Sequence, residues 1–192
     1  MQYILSDALK TTGQYSDVDI ILFEQEARFR KVYKGELLLR DGDIANAIFF
    51  MIKGAVIQCN PKPGSEKSIL DLHVENDWVL NHKSFVSQSP SESAIIAFTE
   101  SEVLEISIAS IHYLIGLSQA FLQLNRIIEQ ATSRLYFFDH SLTPLQKYQY
   151  LFENKPQLLQ KFPLKFIASF LKITPETLSR VREKFVKSNS SS

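Results

Sequence analysis

Between Ala27 and Ile108 the chain reads as a succession of short strands, and this stretch restricts the folds open to it more than any other. β-type runs fall at residues 28–33, 36–40, 48–53, 55–59, 68–73, 93–98 and 103–107. Turn signals separate them: Lys34-Gly35, Asp41-Gly42-Asp43, Lys53-Gly54, Pro61-Lys62-Pro63-Gly64 and Glu75-Asn76-Asp77. Strands this closely spaced leave little room for crossover helices, so the pattern predicts an all-β roll or sandwich rather than a parallel sheet. Residues 1–26 read as helical. From Ile108 a helical period returns and persists to the end, apart from breakers at Thr143-Pro144, Pro156 and Pro163. The expected fold class is α+β: a jelly-roll-like β-roll flanked by helices, a long dimerisation helix, and a small all-α domain.

The helical stretch after the roll carries a regular seam. Leu114, Leu117, Phe121, Leu124, Ile128, Ala131, Leu135 and Phe138 are spaced alternately three and four apart, the heptad alternation of a coiled coil. Gly116 weakens the first turn, so the continuous helix is expected to start near Ser118. Phe121, Leu124, Ile128, Ala131 and Leu135 are the expected homodimer interface, with Leu122 and Ile127 left to face the roll. Packing of the same seam on the chain's own roll is the alternative.

Residues 167–185, IASFLKITPETLSRVREKF, spell two short helices with a turn between them. Ile167, Phe170 and Leu171 share one face of the first. Thr174, Pro175 and Glu176 open the second with a hydroxyl N-cap, a proline at the first helical position and a first-turn carboxylate. Leu178, Val181 and Phe185 should pack back on the first helix, while Glu176, Arg180, Lys184 and Lys187 cluster on the opposite side. Such a helix suits a DNA major groove. An ordinary helical hairpin with a solvated charged face is the plain alternative. Thr174, Glu176, Thr177, Arg180, Lys184 and Lys187 are the candidate DNA contacts.

Charge supports the first reading. The chain carries 21 basic and 21 acidic residues, but from Lys161 onward there are seven Lys/Arg and two acids, net +5, against net −5 for residues 1–160. A basic module on an acidic body supplies a local electrostatic contact with DNA without avid coating of it. A single cysteine, Cys59, excludes an internal disulfide and any multi-cysteine metal site. The four histidines show no ligand spacing, so no metal and no cofactor are expected. No apolar run approaches the length of a bilayer span and no signal peptide is visible, which makes the cytoplasm the expected compartment and a membrane partner unexpected. No phosphate-binding glycine loop or nucleophile–base arrangement points to an enzyme.

The order roll, long helix, helix-turn-helix resembles the Crp/Fnr family of bacterial transcription regulators. Tyr33-Lys-Gly-Glu-Leu-Leu-Leu-Arg-Asp-Gly-Asp43 and Ile48-Phe-Phe-Met-Ile-Lys-Gly-Ala-Val56 look like that family's cyclic-nucleotide-binding roll, with glycines at the tight turns. Asn76-Asp-Trp-Val79 and Glu102-Val-Leu-Glu-Ile-Ser107 resemble the two ends of its ligand cassette, and residues 167–182 its helix-turn-helix. The resemblance implies domains at 1–115 (roll), 116–140 (dimerisation helix) and 141–192 (DNA-binding), a homodimer, and DNA as partner.

The resemblance also marks departures. Members that bind cAMP hold the ribose with a glutamate and the cyclic phosphate with an arginine. Leu80 and Asn81 stand where the glycine and glutamate of that turn would be, and Ser91 and Glu92 where the arginine and a hydroxyl residue would be. No arginine occurs between Arg40 and Arg126, and a buried phosphate without a paired cation is costly. The roll is therefore expected not to bind cAMP in the usual way. Asn81 is placed to cap a short helix through Phe85; with His82, Lys83, Ser84, Ser91 and Ser93 it forms the candidate site for an unknown small-molecule effector. Lys172 replaces the family's turn glycine, Pro175 replaces an arginine contact, and the helix-turn-helix reads as shortened. A ligand-sensing or protein-interaction module that no longer engages DNA is the second expectation.

Overall fold

The computed structural model describes residues 2–60, 68–137 and 142–189, with side chains from Leu5 to Asn60, Ser68 to Thr132 and Leu142 to Lys187. Helix α1 (Gln2–Lys10) and helix α2 (Asp17–Glu26) precede eight strands: β1 (Arg28–Val32), β2 (Leu37–Leu39), β3 (Ala47–Lys53), β4 (Ala55–Asn60), β5 (Ser68–Val74), β6 (Trp78–Val79), β7 (Ala94–Ala97) and β8 (Ser101–Ser107), with helix α3 (His82–Ser87) between β6 and β7. All strand pairs are antiparallel, in two four-stranded sheets of order β1-β8-β3-β6 and β2-β7-β4-β5. The expected jelly-roll-like roll is present, with a short strand, β6, that the period-2 pattern does not reveal.

Its turns explain its glycines. Gly54, between β3 and β4, has φ +96°, and a Cβ there would lie 2.7 Å from the Glu100 carbonyl oxygen and 2.8 Å from the Ser101 Cα, so only glycine fits. The amino-terminal helical stretch is two helices, because Ser16 and Asp19 form a capping box that starts a new one: the Asp19 N–H donates to Ser16 Oγ (3.2 Å) and the Ser16 N–H to the Asp19 carboxylate (2.9 Å). Trp78 fastens α1 to the roll. Its ring lies 5.2 Å from that of Phe50, and its Nε1 donates to Thr11 Oγ1 (2.9 Å).

After β8 the structure departs from the continuous helix. Helix α4 (Ile108–Leu117) ends at Ser118, which is extended and caps the next turn; a 3-10 helix (Gln119–Leu124) follows, and helix α5 (Asn125–Phe137) begins only there. The heptad spacing thus spans a break. Phe121 (0% exposed) and Leu124 (4%) are buried in the roll's own core, whereas Leu122, expected to face the roll, is 56% exposed. The 3-10 winding turns these side chains away from the positions an α-helix would give them. Ile128 and Ala131 remain partly exposed against that core, and the side chain of Leu135 lies outside the described residues.

The carboxyl-terminal helices are α6 (Pro144–Asn154), α7 (Pro156–Lys161), α8 (Leu164–Phe170) and α9 (Pro175–Asn189). They cover the outer face of β4 and β5. A register shift opposite Gln58/Cys59 makes Leu70 an extra residue, so Ile69, Leu72 and Val74 share the outer face while Asp71 and His73 turn inward. With Ala55, Ile57 and Cys59 of β4, the outer residues form one core with Leu151, Leu158, Ile167, Leu171 and Leu178.

Candidate functional sites: the roll pocket and the recognition helix

The six residues nominated for a ligand do converge. Asn81, His82, Lys83, Ser84, Ser91 and Ser93 line one cavity of about 280 Å³ between β4, β5, the start of α3 and α5, together with Gln58, Asn60, Asp71 and Glu92. Asn81 caps α3 as expected, its Oδ1 accepting the Ser84 N–H at 3.1 Å.

The polar groups of this cavity are engaged with one another. Asn81 Nδ2 donates to Ser91 Oγ (2.6 Å) and Ser93 Oγ (2.8 Å), Gln58 Nε2 donates to Ser93 Oγ (2.9 Å), and the Ser91 hydroxyl donates to the Ser93 carbonyl (2.6 Å). Ser84 Oγ accepts the Ala45 N–H at 2.9 Å. Asn81, Ser84, Ser91 and Ser93 are all buried. At the rim, Lys83 is ion-paired with Glu92, and His82 Nε2 meets Thr132 Oγ1 of α5 at 2.8 Å. An anion entering here would have to separate Lys83 from its carboxylate and disrupt satisfied buried hydrogen bonds, which is unfavourable in a low-dielectric site. Asp71 lies beside His73 (3.3 Å) and also lines a neighbouring cavity of about 500 Å³ bounded by Asp77, Glu129 and Lys155. Gln58, Asp71 and His73 escaped the sequence reading, since the bulge that turns the last two inward breaks the alternation that would have exposed them.

The second site is α9. The turn before it closes α8 with paired backbone bonds, Ile173 N–H to the Ala168 carbonyl (3.0 Å) and Lys172 N–H to that of Ser169 (3.1 Å), and puts Lys172 at φ +56°. This is the left-handed helix stop usually given to glycine. Lys147 of α6, 9% exposed, reaches the same turn and donates from Nζ to the Leu171 carbonyl at 2.9 Å, where the α8 dipole favours a cation. Thr174 caps α9, its Oγ1 accepting the Thr177 N–H at 3.2 Å. The Glu176 carboxyl is held below its usual range by its own N–H at the helix start and by the Thr174 hydroxyl, with Arg180 adding attraction.

Leu178 is buried, Val181 is half-buried against the same core, and Phe185 completes the seam. Phe185 shares a core with Phe170 of α8 and also packs on Tyr148 (5.4 Å) and Phe152 (4.9 Å) of α6, which lies alongside α9. Thr174, Glu176, Arg180, Lys184 and Lys187 are exposed and Thr177 is half-buried. Among the described residues there is no group of three or more metal-ligating side chains, and no helix is long and apolar enough to cross a membrane.

Comparison with known proteins agrees with this architecture. Residues 29–116 match the family model of the cyclic nucleotide-binding domain. Among solved structures, FixK2 from Bradyrhizobium japonicum superposes with a TM-score of 0.65 at 16% identity, covering 85% of this chain and 86% of that one. The catabolite activator protein of Thermus thermophilus gives 0.51 at 16% identity, covering 91% and 85%. The sensor domain of the transcriptional regulator DNR from Pseudomonas aeruginosa gives 0.55 at 21% identity, covering 74% and 93%. No curated protein sequence matches significantly. Residues 29–116 thus carry a cyclic nucleotide-binding domain, and the chain as a whole shares the fold of these solved structures.

Proposed function

We propose that this chain is a cytoplasmic, homodimeric transcription regulator that reads DNA with α9 and whose roll pocket does not take cAMP. The observation that carries the reading is the division of α9 into a buried seam and an exposed face bearing Glu176, Arg180, Lys184 and Lys187, in the segment that holds the chain's positive charge. DNR, whose sensor domain has this fold, is a transcriptional regulator. Arg180 is the candidate for a bidentate contact to guanine, and Lys184 and Lys187 lie one and two turns on, near phosphates. The dimer would form along α5, through Ile128, Ala131 and Leu135.

The pocket's internal hydrogen bonds support the expectation about cAMP, and calorimetry should detect no binding at micromolar nucleotide. The packing of α6–α9 into one core with the outer face of β4 and β5 favours the second reading, a protein-interaction or ligand-sensing module that leaves DNA alone. Retention of genomic fragments at low salt separates the two. On a selected site, Arg180→Ala should cost about 1–3 kcal/mol and relax preference at one base pair per half-site. Lys187→Ala should weaken all sequences alike and lower the salt slope by about one phosphate per subunit. Absence of retention by an intact dimer would discard the regulator reading in favour of the module. Sedimentation of Ile128→Glu tests the dimer: a well-folded dimeric variant would place the interface elsewhere.

A further inference from the structure

Apolar burial holds the carboxyl-terminal helices on the roll but gives no direction to the contact. Direction comes from three polar anchors on β5 and the turn after it. β5 is the edge of its sheet, and its Ile69 N–H donates to Ser169 Oγ of α8 at 2.9 Å, so α8 covers an otherwise open strand edge. In the turn, Glu75 Oε1 accepts the Gly54 N–H (2.9 Å) and also the Lys161 ammonium at the end of α7 (2.8 Å). One oxygen of the buried Asp77 carboxylate accepts the Val74 N–H (3.0 Å), and the other is paired with Lys155, the residue that immediately precedes α7. Backbone N–H groups of the roll therefore hold both carboxylates in place toward the lysines.

These anchors leave the exposed face of α9 open. Resting on the DNA-binding reading above, we propose that Lys155, Lys161 and Ser169 are positioning residues that hold the α8–α9 pair in one orientation on the roll, so that a dimer presents two recognition helices at a fixed separation. Two half-sites bound at once gain from linkage only when that separation matches the DNA.

The test uses the full chain with both lysines replaced, Lys155→Met with Lys161→Met, on duplexes carrying one or two copies of a half-site selected by the wild type, with the spacing varied. The variant should keep wild-type affinity for one half-site within about twofold, lose roughly tenfold on two, and lose its preference for one spacing. Lys155→Arg with Lys161→Arg should restore both. A purely structural role would lower one-site and two-site binding together. An unchanged two-site to one-site ratio overturns the proposal. If the double methionine variant fails to fold, Lys161→Met alone, at the exposed rim, is held to the same ratio. Wild type that binds no DNA overturns the DNA reading along with this one, whereas wild type that binds beside an unchanged ratio overturns this one only.

Discussion

Replacing Asn81 by alanine removes three hydrogen bonds from a side chain that is 5% exposed. Loss of the α3 cap costs about 1 kcal/mol. The two serine hydroxyls each lose a donor but are not orphaned, because Ser93 Oγ keeps Gln58 and the Ser91 hydroxyl keeps the Ser93 carbonyl. Each of those losses then costs about 0.5–1 kcal/mol rather than a full desolvation penalty. The expected total is about 2–3 kcal/mol. For a chain of this size that is a fall in Tm on the order of 5–10 °C. Urea unfolding followed through the single tryptophan, Trp78, reports directly on the roll, since that ring is packed on Phe50. Asn81→Ser keeps a capping hydroxyl and should recover about 1 kcal/mol of the loss. An Asn81→Ala variant within about 0.5 kcal/mol of wild type would show that the pocket is not held by its own polar groups, and the argument against an anionic ligand would fall with it.

Three further outcomes are expected. Lys172→Gly relieves a left-handed lysine and, after the added freedom of the unfolded chain, should stabilise by about 0.5–1 kcal/mol in thermal melts; destabilisation would mean that the side chain contributes more than its backbone strain costs. Gly54→Ala sets a Cβ against the Glu100 carbonyl at positive φ and should lower stability by at least about 3 kcal/mol or prevent soluble expression, while near-normal melting would contradict the close approach. The Glu75 carboxyl is penalised by burial, but Lys161 and backbone N–H groups outweigh that and hold its pKa below the usual 4.5. A carboxyl with a lowered folded-state pKa stabilises fully above its ordinary value, and the effect is lost as pH falls through the lowered one. The stability difference between wild type and Lys161→Met should therefore be constant near neutrality and close below pH 4.5, and a difference that persists in acid would assign it to packing of the lysine stem.

Local chemistry was enough to read much of this protein from its residues. Turn glycines, the Asn81 and Thr174 caps, the breaks at Pro144 and Pro156, the proline start of α9, and the seam of Leu178 and Val181 depend on neighbours within a few positions, so their signals survive in one dimension. The two faces of β4 and β5 were less legible. Alternation predicts one of them, but the extra residue at Leu70 exchanges faces midway and hides Asp71 and His73. The heptad spacing misled for a related reason: spacing states which residues would align if the helix were continuous from Ser118, but Gln119–Leu124 is wound as a 3-10 helix, so Phe121 and Leu124 enter the roll instead. Nothing in the sequence singles out Lys155 and Lys161 as anchors, because their partners Asp77 and Glu75 lie 78 and 86 residues away and no local pattern links them. Periodicity and capping are short-range consequences of backbone geometry, and the sequence alone determined them. Which face the strands of the bulged pair bury, which polar groups satisfy one another in the pocket, and where the carboxyl-terminal helices dock depend on contacts between distant segments, and only the tertiary structure decided those.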